Sequence, residues 1–294
     1  MTSKRINVMT KRQITDWHSH VWLPEHVGGW GQELDAKYSH DPSRGGSPEA
    51  HAEAMEEAGI DRFLIVGLVS RHLNFAVPND FIADYAKRSQ GRGVGLAGID
   101  PNDPGAVAEV RRCAEELGLR GVKLAPPYQN FHPHSPEAFK VYDEIAKQGM
   151  FIMFHQGAVT HRMGVLEVAN PILLDRVARE YPETQIIVAH MGQPWSAEVI
   201  PLMRKHPNLI ADLSARCTRR NQLRSMLKLA IDYGLEDKLV WGSDFPTFVP
   251  KDHAAGLLAA ADGDEVATGE TRIPLSTLED ILYDRPLSLI GLPA

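Results

Sequence analysis

Cysteine is nearly absent. The chain has two in 294 residues, Cys113 and Cys217, with no CxxC or paired spacing, which excludes a disulfide framework and a cysteine-based zinc knuckle. Cys113 falls on a predicted amphipathic helix and reads as packing, whereas Cys217 falls in a basic loop with no evident role. No apolar run is long enough to cross a bilayer and no apolar stretch follows the basic start, so neither a membrane anchor nor a signal peptide is expected, and the cytoplasm is the expected compartment. One-sided charge is missing too. A net charge of -7 with both signs mixed argues against nucleic acid or an anionic membrane as partner. The small exception, Lys4, Arg5, Lys11 and Arg12, reads as a solvated tail over residues 1–12. With no Ser-rich or Pro-rich linker and no sequence repeat, residues 13–294 read as one domain.

What the chain has is enough apolar content, 43%, to bury a large core. Short runs rich in Val, Ile, Leu and Phe alternate with segments of helical period, the pattern of strand and helix units around a parallel sheet. Eight strands are predicted, at 13–17, 62–68, 94–99, 121–124, 151–154, 186–189, 209–213 and 239–241. Helix starts are marked by Ser47-Pro48, Asp103-Pro104 and Ser135-Pro136. Between 221 and 233, Leu223, Met226, Leu227, Ala230 and Ile231 form one apolar stripe, expected to pack on the barrel. The predicted fold is therefore an α/β (β/α)8 TIM barrel with a long loop after the first strand, running from Leu23 to Gly46. A loop of that length is expected to be a lid or binding loop, and Trp30 within it is a candidate substrate contact.

Chemistry is concentrated at strand ends. His18 and His20, spaced i and i+2 on a strand, point to one side, and two neutral imidazoles side by side are half of a metal site. His155, His190 and Asp244 close three later apolar runs, so ligand-type residues gather where barrel enzymes keep their sites. Asp16 reads as a partner of a ligating imidazole or as a strand-end cap. Tyr128, His132 and His134 follow the fourth strand, His161 and Arg162 the fifth, and Arg216, Arg219 and Arg220 the seventh. Of these, Tyr128, His132, His161 and Arg216 are expected to read the substrate, Arg216 as a clamp for a carboxylate or phosphate. Arg219 and Arg220 read as a solvated rim.

The segments Asp16-Trp17-His18-Ser19-His20, Gly121-Val122-Lys123-Leu124, Phe154-His155-Gln156-Gly157, Ala189-His190-Met191-Gly192 and Gly242-Ser243-Asp244-Phe245-Pro246 appear in the order seen in the amidohydrolase superfamily. The match resembles most the amidohydrolase-related branch that includes aminocarboxymuconate semialdehyde decarboxylase, resorcylate-type decarboxylases and several lactonases. It spans nearly the whole chain. One departure is Leu282-Tyr283-Asp284-Arg285-Pro286, where such proteins often carry Gly-Asn.

The resemblance implies His18, His20 and His155 as metal ligands and Asp244 as a ligand or proton carrier. It implies His190 as a further ligand or as the acid and base that touches the substrate. Lys123 stands where binuclear members carry a carboxylated, bridging lysine. A divalent metal is implied, most simply one zinc ion, with two ions or iron or manganese as alternatives. The leading expectation is hydrolysis of a small ester, lactone, amide or thioester through metal-activated water. The alternative is non-oxidative decarboxylation of a small aromatic or unsaturated acid with the same ligands. A non-catalytic barrel subunit, or an iron or manganese redox enzyme, is the minor alternative. The expected partner is a small molecule, with self-association open.

Overall fold

The structure, a computed structural model, describes residues 12–28, 45–159, 161–263 and 269–293. Most of the long loop after the first strand, Trp30 included, lies outside the described residues, as do Lys4, Arg5 and Lys11. Eight parallel strands form one sheet in consecutive order. They are β1 (Thr15–Ser19), β2 (Arg62–Val66), β3 (Gly93–Gly98), β4 (Gly121–Leu124), β5 (Phe151–Phe154), β6 (Ile186–Val188), β7 (Leu209–Asp212) and β8 (Leu239–Val240). The barrel closes between β8 and β1: Trp17 N–H donates to Trp241 O at 3.1 Å, and Asp244 N–H donates to His18 O at 2.7 Å. Closure at this point requires Gly242, because a Cβ there would lie 2.8 Å from His18 Cβ.

The helices between strands are α1 (Pro48–Glu57), α2 (Asn79–Arg88), α3 (Ala106–Glu115), α4 (Pro136–Lys147), α5 (Leu174–Glu180), α6 (Ser196–Lys205) and α7 (Arg220–Asp232), followed by α8 (Pro250–Leu258) and α9 (Leu275–Tyr283). Ser47 and Ser135 cap α1 and α4 as their sequences predict, each hydroxyl accepting a backbone N–H three residues on. Asp103-Pro104 does not start α3, which begins at Ala106. Asp103 Oδ1 instead accepts Gly105 N–H at 2.7 Å in a turn before the helix. In the predicted α7 stripe, Leu223, Met226, Leu227 and Ala230 are buried, and both cysteines are free and buried in the packing. The second predicted strand stops at Val66, and Val69–Ser70 pairs antiparallel with Phe75–Ala76 in a small hairpin that the sequence did not signal.

Inward side chains form two layers. Trp17, Leu64, Val66, Leu96, Phe151, Met153, Ile187, Ile210 and Val240 make one apolar cluster, onto which Leu287, Ile290 and Leu292 of the C-terminal segment pack. One alternation step further along the strands, the inward positions become polar. His155 follows Met153 by two residues and Asp212 follows Ile210 by two, while Lys123 of β4, paired with Met153, reaches His18 Nε2 with its Nζ at 3.2 Å. A bulge in β1 reconciles Trp17 with this plan. Asp16 is opposite Phe63 but Ser19 is opposite Ile65, so β1 spends three steps where β2 takes two. Trp17 therefore joins the apolar layer while its neighbour His18 faces the cavity above it.

Arg12, placed by sequence in a solvated tail, is instead tied to α9. Its guanidinium donates to Asp284 Oδ2 at 2.7 Å and Asp280 Oδ1 at 2.9 Å. The unusual Asp284 thus serves as an anchor for the chain entering β1.

Candidate metal centre

At the C-terminal ends of the strands lies a cavity of about 310 Å³, whose wall includes His18, His20, Lys123, His155, His190 and Asp244. Each of three imidazoles has its Nδ1 proton tied outward. His18 Nδ1–H donates to Asp212 Oδ2 at 2.9 Å, and His20 Nδ1–H donates to the Val66 carbonyl at 2.8 Å. The Ser214 hydroxyl donates to Asp212 Oδ1, so His190 Nδ1 must be the donor toward Ser214, whose carbonyl lies 3.1 Å away. All three rings therefore turn an Nε2 lone pair to the cavity, that of His18 lying 3.2 Å from Lys123 Nζ. Burial, reinforced by Lys123 for His18 and by His155 for His190, holds both rings well below the usual imidazole range and keeps them neutral.

These lone pairs converge. His18, His190 and Asp244 each offer one ligand atom within 4.8 Å of the others. His18 Nε2 is 3.2 Å from His20 Nε2, and Asp244 Oδ1 lies 3.5 and 3.4 Å from these two nitrogens. Two nitrogen lone pairs that close repel one another unless a proton donor or a cation lies between them. His155 shares the wall, its ring centroid 5.0 Å from that of His190, and its buried Nε2 has no hydrogen-bond partner. Burial first, and then the charge of Lys123, pushes His155 down to about 3, leaving another neutral nitrogen. A nitrogen-rich set with one carboxylate and an orphaned buried nitrogen fits a divalent ion.

The backbone is shaped to make this cluster. His190 and Asp244 both adopt left-handed φ, 55° and 65°, which is uncommon for residues with a Cβ and is tolerated where surrounding bonds enforce it. His190 N–H donates to Asp212 Oδ1 at 2.9 Å. Beside Asp244, Ser243 is held by Asp16, which accepts its N–H at 2.9 Å and its hydroxyl at 2.6 Å. Asp16 thus binds no imidazole ring, and burial, partly offset by these bonds, pushes it up to about 7. The carboxylate that orients His18 is Asp212, which the sequence reading passed over. It closes an apolar strand as His155, His190 and Asp244 do, so the same signal could have found it.

Lys123 is fully enclosed, its Nζ 3.2 Å from His18 Nε2, and burial pulls it down to about 8 against the pull of Asp212 and Asp244. Tyr128 and Arg216 line the cavity as expected, Tyr128 packing its ring edge-on to His155 at 4.9 Å. Arg219 is exposed, but at the cavity rim. The structure does not bring His132 or His161 to the wall. Exposed His132 accepts His134 N–H through Nδ1 at 3.0 Å, and buried His161 accepts Met163 N–H at 3.2 Å, each ring turned into its own loop. His134 donates to Leu173 O at 2.7 Å and so braces two loops. Among the described residues, no helix is long and apolar enough to cross a membrane.

Known proteins resemble this chain in family and in fold. The family model described as amidohydrolase matches residues 15–289. An uncharacterised TIM-barrel protein from Bordetella bronchiseptica superposes with a TM-score of 0.71 at 19% identity, covering 95% of this chain and 100% of that one. A 5-carboxyvanillate decarboxylase from Novosphingobium aromaticivorans, complexed with manganese and a nitrobenzoic acid, gives 0.68 at 15% identity, covering 96% and 97%. A probable 2-pyrone-4,6-dicarboxylic acid hydrolase from Acinetobacter baumannii gives 0.67 at 15%, covering 95% and 100%. At these identities the likeness establishes the TIM barrel.

Proposed function

The chain belongs to the amidohydrolase family, and from that premise we propose that it is a metal-dependent, non-oxidative decarboxylase of a small aromatic carboxylic acid. The observation that carries this reading is the make-up of the cavity lining, in which aromatic side chains and an arginine accompany the imidazoles. Trp22, Leu68, Phe75 and Phe248 offer an apolar, largely aromatic side, a slot for a planar ring. Arg216 lines the same cavity, half-buried, with a buried Nε that has no hydrogen-bond partner and, among the described residues, one bond from Nη1 to Gln222 Oε1 at 3.3 Å. A desolvated guanidinium with spare donors suits a carboxylate.

His18, His20, His190 and Asp244 would hold the ion, with His155 as a further nitrogen. When bound, a divalent ion supplies a Lewis acid that draws in the substrate's acidic oxygens. The chain's own part is to orient and to move one proton. Arg216 fixes the anion, the aromatic wall keeps water from the ring, and Asp244 delivers a proton to the ring carbon. The bond from that carbon to the carboxylate breaks, its electron pair is taken up with the proton, and carbon dioxide leaves.

Sequence alone put hydrolysis first. Decarboxylation takes precedence because the walls suit a flat aromatic acid, and because decarboxylases of hydroxylated benzoates recur among the matched structures. Hydrolysis keeps one supporting observation, the matched probable pyrone hydrolase. The test is to load the protein with manganese or zinc and supply hydroxybenzoates and pyrone carboxylates, following carbon dioxide release and ring opening separately. Release of carbon dioxide from hydroxybenzoates, lost in a His18→Ala, His20→Ala double variant that stays folded, supports the reading. Ring opening without carbon dioxide overturns it in favour of hydrolysis.

A further inference from the structure

We propose that His51 is a positioning residue for the metal centre: through Ser19 it locks the bulge of β1 that turns His18 and His20 toward the same ion. The proposal rests on the metal reading of these two histidines.

The bulge is a local weakness. It places one surplus residue on β1 opposite Leu64 and interrupts the regular ladder at the strand that supplies both imidazoles. Ser19, between the two histidines, points the other way, out of the barrel toward α1. There its hydroxyl donates to the Leu64 carbonyl at 2.7 Å, the β2 residue that faces the surplus. Having given away its proton, Ser19 Oγ can only accept from His51 Nε2, 2.9 Å distant. His51 must then carry its proton on Nε2 and accept at Nδ1, where the Tyr85 hydroxyl lies 2.9 Å away. The direction of every bond in the line Tyr85, His51, Ser19, Leu64 is thus fixed.

This line is rigid. His51 has no solvent exposure, and the rings of Phe63, Tyr85 and Phe245 stand edge-on to it at 4.8 to 5.4 Å. Phe245 also belongs to the segment that carries Asp244, and its carbonyl accepts His20 N–H at 2.8 Å. One helical imidazole therefore touches a side chain on each of the two segments whose relative placement sets the spacing among His18, His20 and Asp244. A residue with only a packing role would need neither the donor toward Ser19 nor the acceptor toward Tyr85.

The experiment compares full-length wild type with Ser19→Ala, His51→Phe and His51→Gln, using cobalt(II) as the probe. Affinity is measured by competition with a chelator, ligand geometry by the visible absorption of bound cobalt, and folding by melting of the metal-free proteins. Ser19→Ala and His51→Phe are expected to weaken cobalt binding about 10- to 100-fold, as loss of a supporting partner does at metal sites, and to alter the absorption bands. His51→Gln, whose amide N–H can reach the same hydroxyl, is expected to recover most of both. Cobalt affinity within twofold of wild type and an unchanged spectrum in folded His51→Phe would overturn the proposal. If His51→Phe does not fold, Ser19→Ala, which removes only a hydroxyl, decides by the same two readouts. If wild type takes up no cobalt, the proposed function fails instead. The positioning role is then decided by 15N shifts of the His18 and His20 rings: a changed tautomer in Ser19→Ala supports it, and none overturns it.

Discussion

Met153 and Ile210 sit one alternation step beneath His155 and Asp212, on the same strands, yet the two layers obey different physics. In the apolar layer, stability comes from close packing with no polar group to satisfy. In the layer above it, His18, Lys123 and Asp212 are at most 2% exposed, and each buried polar group needs a partner. Asp212 meets that need for several groups at once, holding the His18 ring, the His190 backbone and Ser214. Of the orphaned buried nitrogens, His155 Nε2 belongs to the cavity wall, where an ion would satisfy it. The contrast teaches that within one barrel the apolar layer sets whether the chain folds, and the polar layer above it sets what it holds.

Substitutions can break that division of labour. Leu64→Ala, which empties a fully buried position of the apolar layer, is expected to cost about 3 kcal/mol of folding stability, within the usual range for such truncations. The folded fraction should retain its metal stoichiometry, and chemical denaturation with elemental analysis checks both. Asp212→Asn is the reverse case. It keeps the shape but removes the charge and an acceptor shared by His18, His190 and Ser214, so metal affinity should fall about 10- to 100-fold while the apolar layer stays ordered. A chelator competition reads the change, and an equal loss of near-ultraviolet dichroism would show that the layers are not separable.

A smaller effect comes from His253, buried on α8 with Nδ1 3.2 Å from the Gly242 carbonyl, outside both layers. Burial pushes it from 6.5 down to about 4. Above pH 6.5 the ring is neutral in folded and unfolded chains alike; below it only the unfolded chain takes up the proton, so stability falls as pH drops toward 4. Between pH 7.5 and 5.5 this group should remove on the order of 1 kcal/mol, and a folded His253→Gln protein should be less acid-sensitive by that amount in urea titrations at the two pH values.

Much of this was legible in order of residues. Strand-end His18, His20, His155, His190 and Asp244 could be read because apolar runs mark where strands stop and the fold puts those stops together. Asp212 was missed because the predicted strand ran one residue past it, to Leu213, and its role exists only through a ring that is distant in sequence. The expected roles of His132 and His161 did not materialise at the cavity wall because proximity to a strand end does not fix which way a loop side chain turns. Tertiary structure likewise redirected Arg12, whose partners lie on α9.

By itself the sequence determined the barrel, its eight strands and the set of ligand-type residues, since hydrophobic period and strand-end identity are local properties of the chain. Only the tertiary structure decided which nitrogen each histidine presents, that β1 bulges to let Trp17 and His18 both face inward, and that Asp212, Asp16 and His51 support the centre. Those features depend on hydrogen bonds between residues far apart in sequence, whose direction is set when the strands close on one another.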